Sequence, residues 1–298
     1  MHFSLINNNE ESLKFFNDFF DLIDRGYYKF LFNMREVKKL DIEVLLYIIS
    51  LDKIYKEKIN IQLNIKVPTE QTLKYIMIAS GFTKYFKSNV DIDEIDEENI
   101  FPICDGATNR LNKKDDARTC ADAVDFAKKF FDYSERKNQI FRLLYTSLAE
   151  LMLNTDNHAY DEDVEDSIIN NWYLFAVKIG DNILFYFFDN GKGITKTARP
   201  KIIDKAYGLI NLEQKNILQS VLNGEFRSKT GIRHRGKGLP QINDLLTDNQ
   251  VGLSVILTNR VFRYHSNKEE YQKVPYDFRG SLFIWTISLV KVEGDSHG

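Results

Sequence analysis

Glutamate, asparagine and histidine recur at steps of four within residues 145–160, as Glu150, Asn154 and His158. On an α-helix each step of four turns the position by only about 40°, so all three project from one side. Leu144, Leu148 and Leu151 gather on the neighbouring side, which would face a core. Polar groups in a row along the edge of an apolar face either line a pocket or form a solvated flank with a capping histidine. Taken alone, the row favours the flank. Two glycine segments further along the chain change that balance.

The first is Asp189-Asn190-Gly191-Lys192-Gly193-Ile194, directly after the apolar run ILFYFF. An aspartate at the end of an apolar strand is costly to bury unless something donates hydrogen bonds to it. An exocyclic amine, as on adenine, is such a donor, and the two glycines allow a flat ring to approach the backbone closely. Asn-Gly after a strand also marks a type I′ hairpin turn. No returning strand of alternating apolar residues follows, however, so the ligand reading is preferred over the plain turn.

The second is TGIRHRGKGLPQI, residues 230–242. Gly231, Gly236 and Gly238 precede a helix beginning near Leu239, with Pro240 suited to its first turn. Free N–H groups and the helix dipole make such a junction receptive to phosphate. Arg227, Lys229, Arg233, Arg235 and Lys237 add positive charge. A basic surface loop is the competing reading; glycines, cations and a helix start together favour phosphate. Residues 231–238 also fall one residue short of a P-loop. Position 238 is glycine where that motif needs a magnesium-binding hydroxyl, and no buried strand precedes it.

The elements that must position these groups are readable from hydrophobic pattern. Strands are expected at Tyr27 to Asn33 and Ile59 to Val67, with helices from Asp41, as N-cap, to Tyr55 and from Thr69 to Ala79. This strand-helix-strand-helix order fits an α/β unit over residues 1–90. Residues 91–118, with the acidic run VDIDEIDEEN, read as a linker, and residues 119–298 as a second domain. There the pattern predicts helix from Thr119 into the polar row, with a break at Tyr133-Ser134. The acidic loop Asp161 to Asp166 follows. Strands Trp172 to Ile179 and Ile183 to Phe188 are joined by a Gly180-Asp181-Asn182 turn. Helices are expected at Ile202 to Leu222 and Leu239 to Leu246, then strands at Gly252 to Thr258 and Ser281 to Val290. Asn267 to Asp277 reads as a charged surface excursion.

Composition narrows the function classes. In 298 residues, 43% hydrophobic and 13% aromatic content supports a substantial core. A net charge of −3 gives no overall bias toward nucleic acid. Cys104 and Cys120 match no metal-ligand spacing and form no disulfide framework, which points to a reducing compartment. No secretory signal or apolar run of about 20 residues is found. A soluble, cytoplasmic protein without membrane contact or sequence-specific nucleic-acid binding is expected.

In series, Glu150-x3-Asn154-x3-His158, Asp189-x-Gly191-x-Gly193 and Gly236-x-Gly238-Leu239 resemble the asparagine box and two glycine boxes of the GHKL ATPase superfamily, which includes gyrase B, histidine kinases and MutL. The resemblance covers about residues 119 to 290. It implies a Bergerat-type α/β sandwich, a mixed sheet covered on one face by helices. It implies that ATP and Mg²⁺ bind here, with Asn154 as the metal ligand and Glu150 as the catalytic group that orients or deprotonates water. Asp189 would accept from the adenine amino group, Gly191 and Gly193 would line the base pocket, and Lys237 and Gly238 would contact phosphate. Ser281, after Gly280, would stand where the family has a Gly-Thr pair near adenine, and residues 195–235 would form the ATP lid. His158 follows the spacing common in histidine kinases, and a structural histidine explains it equally well.

The strand-helix order of residues 1–90 resembles a STAS domain, the small α/β regulator module of anti-sigma-factor antagonists. Those regulators often carry a phosphorylatable hydroxyl where this chain has Lys39-Leu40-Asp41-Ile42-Glu43, without one. A sensor histidine kinase is not expected, because only His2 precedes His158. A gyrase-like transducer is not expected either, because few residues follow the last strand. Two functions remain. One is a magnesium-dependent ATPase or protein kinase-like signalling protein, regulated by the STAS-like domain and acting on a protein partner. The other is an ATP-gated interaction module with little or no turnover. Both allow a homodimer.

Overall fold

The computed structural model describes residues 2–86, 98–107, 113–131, 137–157, 171–203, 213–225 and 238–290. Its N-terminal part is a layer of short strands and helices. β1 (His2–Phe3) is followed by α1 (Asn9–Asp24), β2 (Lys29–Asn33), β3 (Lys39–Leu40), α2 (Ile42–Ile59), β4 (Gln62–Lys66) and α3 (Gln71–Ala79). β1 pairs with β3 and β2 with β4, both in parallel, as strands separated by a helical crossover can. The helix α1 lies in a stretch with no predicted element. Its Leu13, Phe16, Phe20 and Ile23 recur at helical spacing and are all buried. Asp41 stands at the N-cap of α2, but its side chain makes no capping hydrogen bond. It instead accepts from Asn7 Nδ2 at 3.3 Å, which joins the helix start to the N-terminal segment. The cap bond is made at α3, where Glu70 accepts from the backbone N–H groups of Thr72 and Leu73 at 3.0 and 2.7 Å.

The central sheet comes from the rest of the chain. In sequence the elements are β5 (Ile100–Ala107), α4 (Lys113–Lys128), α5 (Lys137–Asn157), β6 (Asn171–Ile179), β7 (Asn182–Asp189), α6 (Ile194–Ile203), α7 (Gln214–Leu222), α8 (Gly238–Leu246), β8 (Val251–His265) and β9 (Glu269–Ser288). Spatial order is β5-β6-β7-β9-β8, and every neighbouring pair is antiparallel. The expectation of a mixed sheet is therefore corrected. Hairpins reverse the chain between β6 and β7 and between β8 and β9. Two helices separate β5 from β6, so the chain re-enters the sheet in the opposite sense.

Two segments differ from their expected roles. Residues 100–107, within the stretch read as a linker, form the edge strand β5 paired with β6. Its Asp105 accepts from Lys53 Nζ of α2 at 2.8 Å and from the Tyr85 hydroxyl at 3.0 Å. The expected charged excursion at residues 267–277 is mostly strand: β8 and β9 continue as a long hairpin to the pair His265↔Glu269. Lys268, Glu270 and Lys273 face outward, while Phe262, Val274 and Phe278 are buried, as is Arg263, which donates to Glu269 Oε1 at 2.7 Å.

Strand alternation divides the sheet into two faces. Ile183, Phe185 and Phe187 of β7, Phe283, Trp285 and Ile287 of β9, and Trp172 and Leu174 of β6 face α4, α5, α7 and α8 in one core. Phe188, Leu282, Ile284, Tyr173 and Phe175 face the N-terminal layer in another. Tyr47 of α2 centres that second contact. It packs against Phe16 at 4.7 Å, Phe278 at 4.9 Å and Phe188 at 5.6 Å between ring centroids. Both faces are thus covered, one by helices and one by the α/β layer, rather than one face only. The architecture is mixed α/β. Among the described residues no helix is long and apolar enough to cross a membrane, and Cys104 and Cys120 are free thiols.

Candidate functional site

Leu144, Leu148 and Leu151 anchor α5 in the helical core, at 0%, 0% and 3% exposure. That orientation turns Ser147, Glu150 and Asn154, at positions i, i+3 and i+7, toward α8. Ser147 Oγ donates to the Gln241 carbonyl at 3.4 Å. Gly238, buried at the start of α8, lies directly against Glu150: a methyl group at position 238 would overlap Glu150 Oε2 and stand 3.5 Å from Asn154 Nδ2. Residues distant in sequence therefore converge where the first backbone N–H groups of α8 lack helical partners. Burial alone raises the Glu150 carboxyl above its usual range. Asn154 Nδ2 is buried without a hydrogen-bond partner among the described residues.

The second cluster lies at the end of β7. By alternation Asp189 is on the same face as Phe187, the face covered by α5 and α8. Its pair in the ladder is Ser281 of β9. The Gly191 N–H donates to Asp189 Oδ1 at 2.9 Å, and the Ser281 hydroxyl donates to the same carboxylate. Burial pushes the Asp189 carboxyl up to about 7, and these two bonds only partly offset it. Ser281 is buried, with its hydroxyl 3.3 Å from Thr258 Oγ1. Gly280 before it has φ +112°, and a side chain there would strike the Asp189 carbonyl oxygen. Asn190 turns away from this cluster to bind β6: its Oδ1 accepts from the Asn171 N–H at 2.7 Å.

Glu150, Asn154 and Gly238 thus form one group, and Asp189, Gly191, Gly193 and Ser281 a second, on the same face of the sheet. Lys237 and His158 lie outside the described residues, as do Arg227, Lys229, Arg233, Arg235 and the acidic loop 161–166. Of the segment read as a lid, α6 and α7 are described as helices. Two residues that sequence reasoning passed over belong to the second group. Thr258 Oγ1 accepts from the Ile194 N–H at 2.9 Å. Asn259 Nδ2 donates to the Lys192 carbonyl at 2.9 Å. Both hold the loop after Asp189, and neither carries a local motif that marks it.

Chemically, the first group offers a carboxylate, an amide whose Nδ2 has no partner among the described residues, and the helix-start N–H groups of Gly238 and Leu239, which suits an anion accompanied by a hard cation. The second offers a buried acceptor beside glycine backbone, which suits a flat ring bearing an N–H donor. No protein-family model matches the chain, and no curated protein matches it.

Proposed function

We propose that the chain binds ATP with magnesium in a site of GHKL type. Asp189 accepts from the adenine amino group beside Gly191, Gly193 and Ser281. The phosphates lie at the start of α8, where Lys237 and Gly238 contact them. The observation that carries this reading is the packing of Gly238 against Glu150 and Asn154. An anion-receptive helix start thereby stands beside the two described groups of the polar row, a carboxylate and an amide, that could serve a water and a metal.

The donor set fits magnesium shared with phosphate. Asn154 Nδ2 is buried without a partner among the described residues, a donor suited to a phosphate oxygen, and no group of three or more His, Cys, Asp or Glu side chains among the described residues could cage a metal alone. Asn154 Oδ1 would hold the ion, with phosphate oxygens and water completing its shell. When bound, the ion would neutralise charge on the phosphates. Glu150, whose carboxyl is raised by burial, would take a proton from the attacking water or orient it. On this reading the protein is an ATPase or a protein kinase-like signalling protein with a protein partner. The N-terminal layer would be its STAS-like regulator, supported by the β2-α2-β4 unit with α3 after it.

A second reading, nucleotide-gated partner binding with little turnover, draws on the contact between the N-terminal layer and β9. Tyr47 packs on Phe278, close in sequence to Gly280 and Ser281. Phosphate release by wild type and Glu150→Ala separates the two. A steady-state rate that falls about 100-fold or more in the variant, with ATP affinity kept, is the expected outcome for an enzyme. Tight ATP binding with no release above background from either protein leaves gating. No ATP binding by wild type rejects both.

A further inference from the structure

Asn259 has an unusual environment for a strand residue. It is fully buried, at 0% exposure, and sits at an irregularity of the β8–β9 ladder, where the register shifts on either side of it. Its φ is +51°, a left-handed conformation that costs a non-glycine residue free energy and persists only where the surroundings impose it. What surrounds it is the loop after Asp189. Asn259 Nδ2 donates to the Lys192 carbonyl at 2.9 Å. Asn259 Oδ1 accepts from Thr195 Oγ1 at 2.7 Å and from the Lys196 N–H at 3.3 Å. Gly193, at φ +85°, is fitted against the same amide: a methyl group there would stand 2.5 Å from Asn259 Oδ1. One side chain therefore satisfies a carbonyl of the loop and two donors in the first turn of α6. Bulges re-aim single side chains in this way.

We infer that Asn259 is a positioning residue for nucleotide binding, which sets the backbone of residues 191–194 against Asp189 without itself touching the nucleotide. This rests on the ATP reading above. The neighbouring Thr258 assists, because its hydroxyl accepts from the Ile194 N–H and donates to the Gly280 carbonyl at 3.2 Å. The two sides of the candidate base site, the 191–194 segment and Gly280-Ser281 of β9, are thereby joined through adjacent residues of β8. A pocket for a planar base needs that spacing fixed before the ligand arrives, since loop ordering otherwise subtracts from affinity.

The test uses the full chain titrated with Mg²⁺ and ATP. Asn259→Gly suits the left-handed backbone and deletes all three side-chain hydrogen bonds. Its expected affinity is lower by about tenfold or more, with a melting temperature within a few degrees of wild type. Amide hydrogen exchange should accelerate at residues 191–196 and stay unchanged in β7 and β9. Asn259→Asp keeps both acceptor bonds and should recover part of the affinity. Wild-type affinity in Asn259→Gly overturns the inference, as does a loss accompanied by faster exchange throughout the sheet. If Asn259→Gly does not fold, Asn259→Asp decides: a threefold or larger loss at wild-type melting temperature, about 0.7 kcal/mol, supports the inference, and unchanged affinity overturns it. Failure of wild type to bind ATP overturns the ATP reading and this inference together, and is told apart by the wild-type titration alone.

Discussion

Asp189 and Glu43 are carboxyl groups that burial pushes to about 7 on opposite faces of one sheet. Glu43, at 1% exposure, is enclosed by the N-terminal layer. Its Oε1 accepts from the Ser4 hydroxyl at 3.0 Å and the Leu5 N–H at 3.2 Å, and it ties the first residues of the chain to α2. No glycine opens a space beside it among these contacts. Asp189 is half-buried and framed by Gly191 and Gly280, with a donor from a loop that Asn259 and Thr258 hold in place. The same perturbation therefore accompanies two different constructions, a sealed side-chain contact and a half-buried carboxylate held by close backbone approaches. A raised carboxyl identifies a site only when the backbone around it leaves room for a ligand.

Paired isosteric substitutions test this contrast most strongly. Asp189→Asn should weaken ATP binding about 100-fold, about 3 kcal/mol, because the amide turns one acceptor into a donor facing the adenine amine. Glu43→Gln should leave affinity within about twofold. Comparable losses from both, in a nucleotide titration, would erase the distinction. The pH dependences should also differ. Binding that needs ionised Asp189 is full above about 7 and falls as the pH drops below it. Stability follows the opposite sense, because a carboxyl raised in the folded state favours folding below its ordinary range, near 4.5 for Glu43, and loses that contribution as pH rises to about 7. Glu43→Gln removes this loss, so relative to wild type it should gain on the order of 2 kcal/mol between pH 5 and pH 8. A gain of the other sign in denaturant titrations would show that Glu43 is held ionised.

Gly238→Ala probes the face of α5 and α8 with a smaller effect. The new methyl overlaps Glu150 Oε2, so either α8 or the carboxylate must shift. Because the atom met is the far end of a flexible, half-exposed side chain, the expected result is about tenfold weaker ATP binding with stability changed by less than about 1 kcal/mol. Adding Glu150→Ala removes the overlapping group, so the two changes should couple by about 0.5 kcal/mol. Strictly additive effects in the double variant would mean that the two residues do not meet in solution.

Much of this arrangement was legible before any coordinates. The spacing of Leu144, Leu148 and Leu151 fixed which side of α5 the polar row occupies, and Gly180-Asp181 marked the β6–β7 reversal. The less legible elements share a physical reason. β5 contains Pro102 and Gly106, which weaken a strand signal, and it tolerates them because it is an edge strand whose register shifts between Phe101 and Cys104. The outer β8–β9 hairpin is charged on its exposed side, so its buried Phe262, Val274 and Phe278 were outweighed in the local pattern. The helix α1 did carry a usable signal, its phenylalanines at three- and four-residue spacing. Asn259 carried none. A lone asparagine within an apolar strand reads as a surface position, and its partners lie more than sixty residues earlier in the chain.

The smallest expected effect asks whether the two faces are independent. Arg279 precedes Gly280 on β9, and its guanidinium lies 3.8 Å from the Phe20 ring centroid and donates to the Tyr55 hydroxyl. Both partners belong to the N-terminal layer, so this exposed residue bridges that layer to the part of β9 holding Ser281. As an exposed cation–π contact it contributes about 0.5–1 kcal/mol, and Arg279→Ala should lower stability by about that amount. Gly280, at φ +112°, is fixed independently by its close approach to the Asp189 carbonyl and by the bond from Thr258. ATP affinity in Arg279→Ala should therefore stay within about threefold of wild type, about 0.7 kcal/mol. A tenfold change with the melting temperature nearly unmoved would give the opposite result. It would make β9 a route by which the N-terminal layer sets the nucleotide site, and would favour gating over turnover.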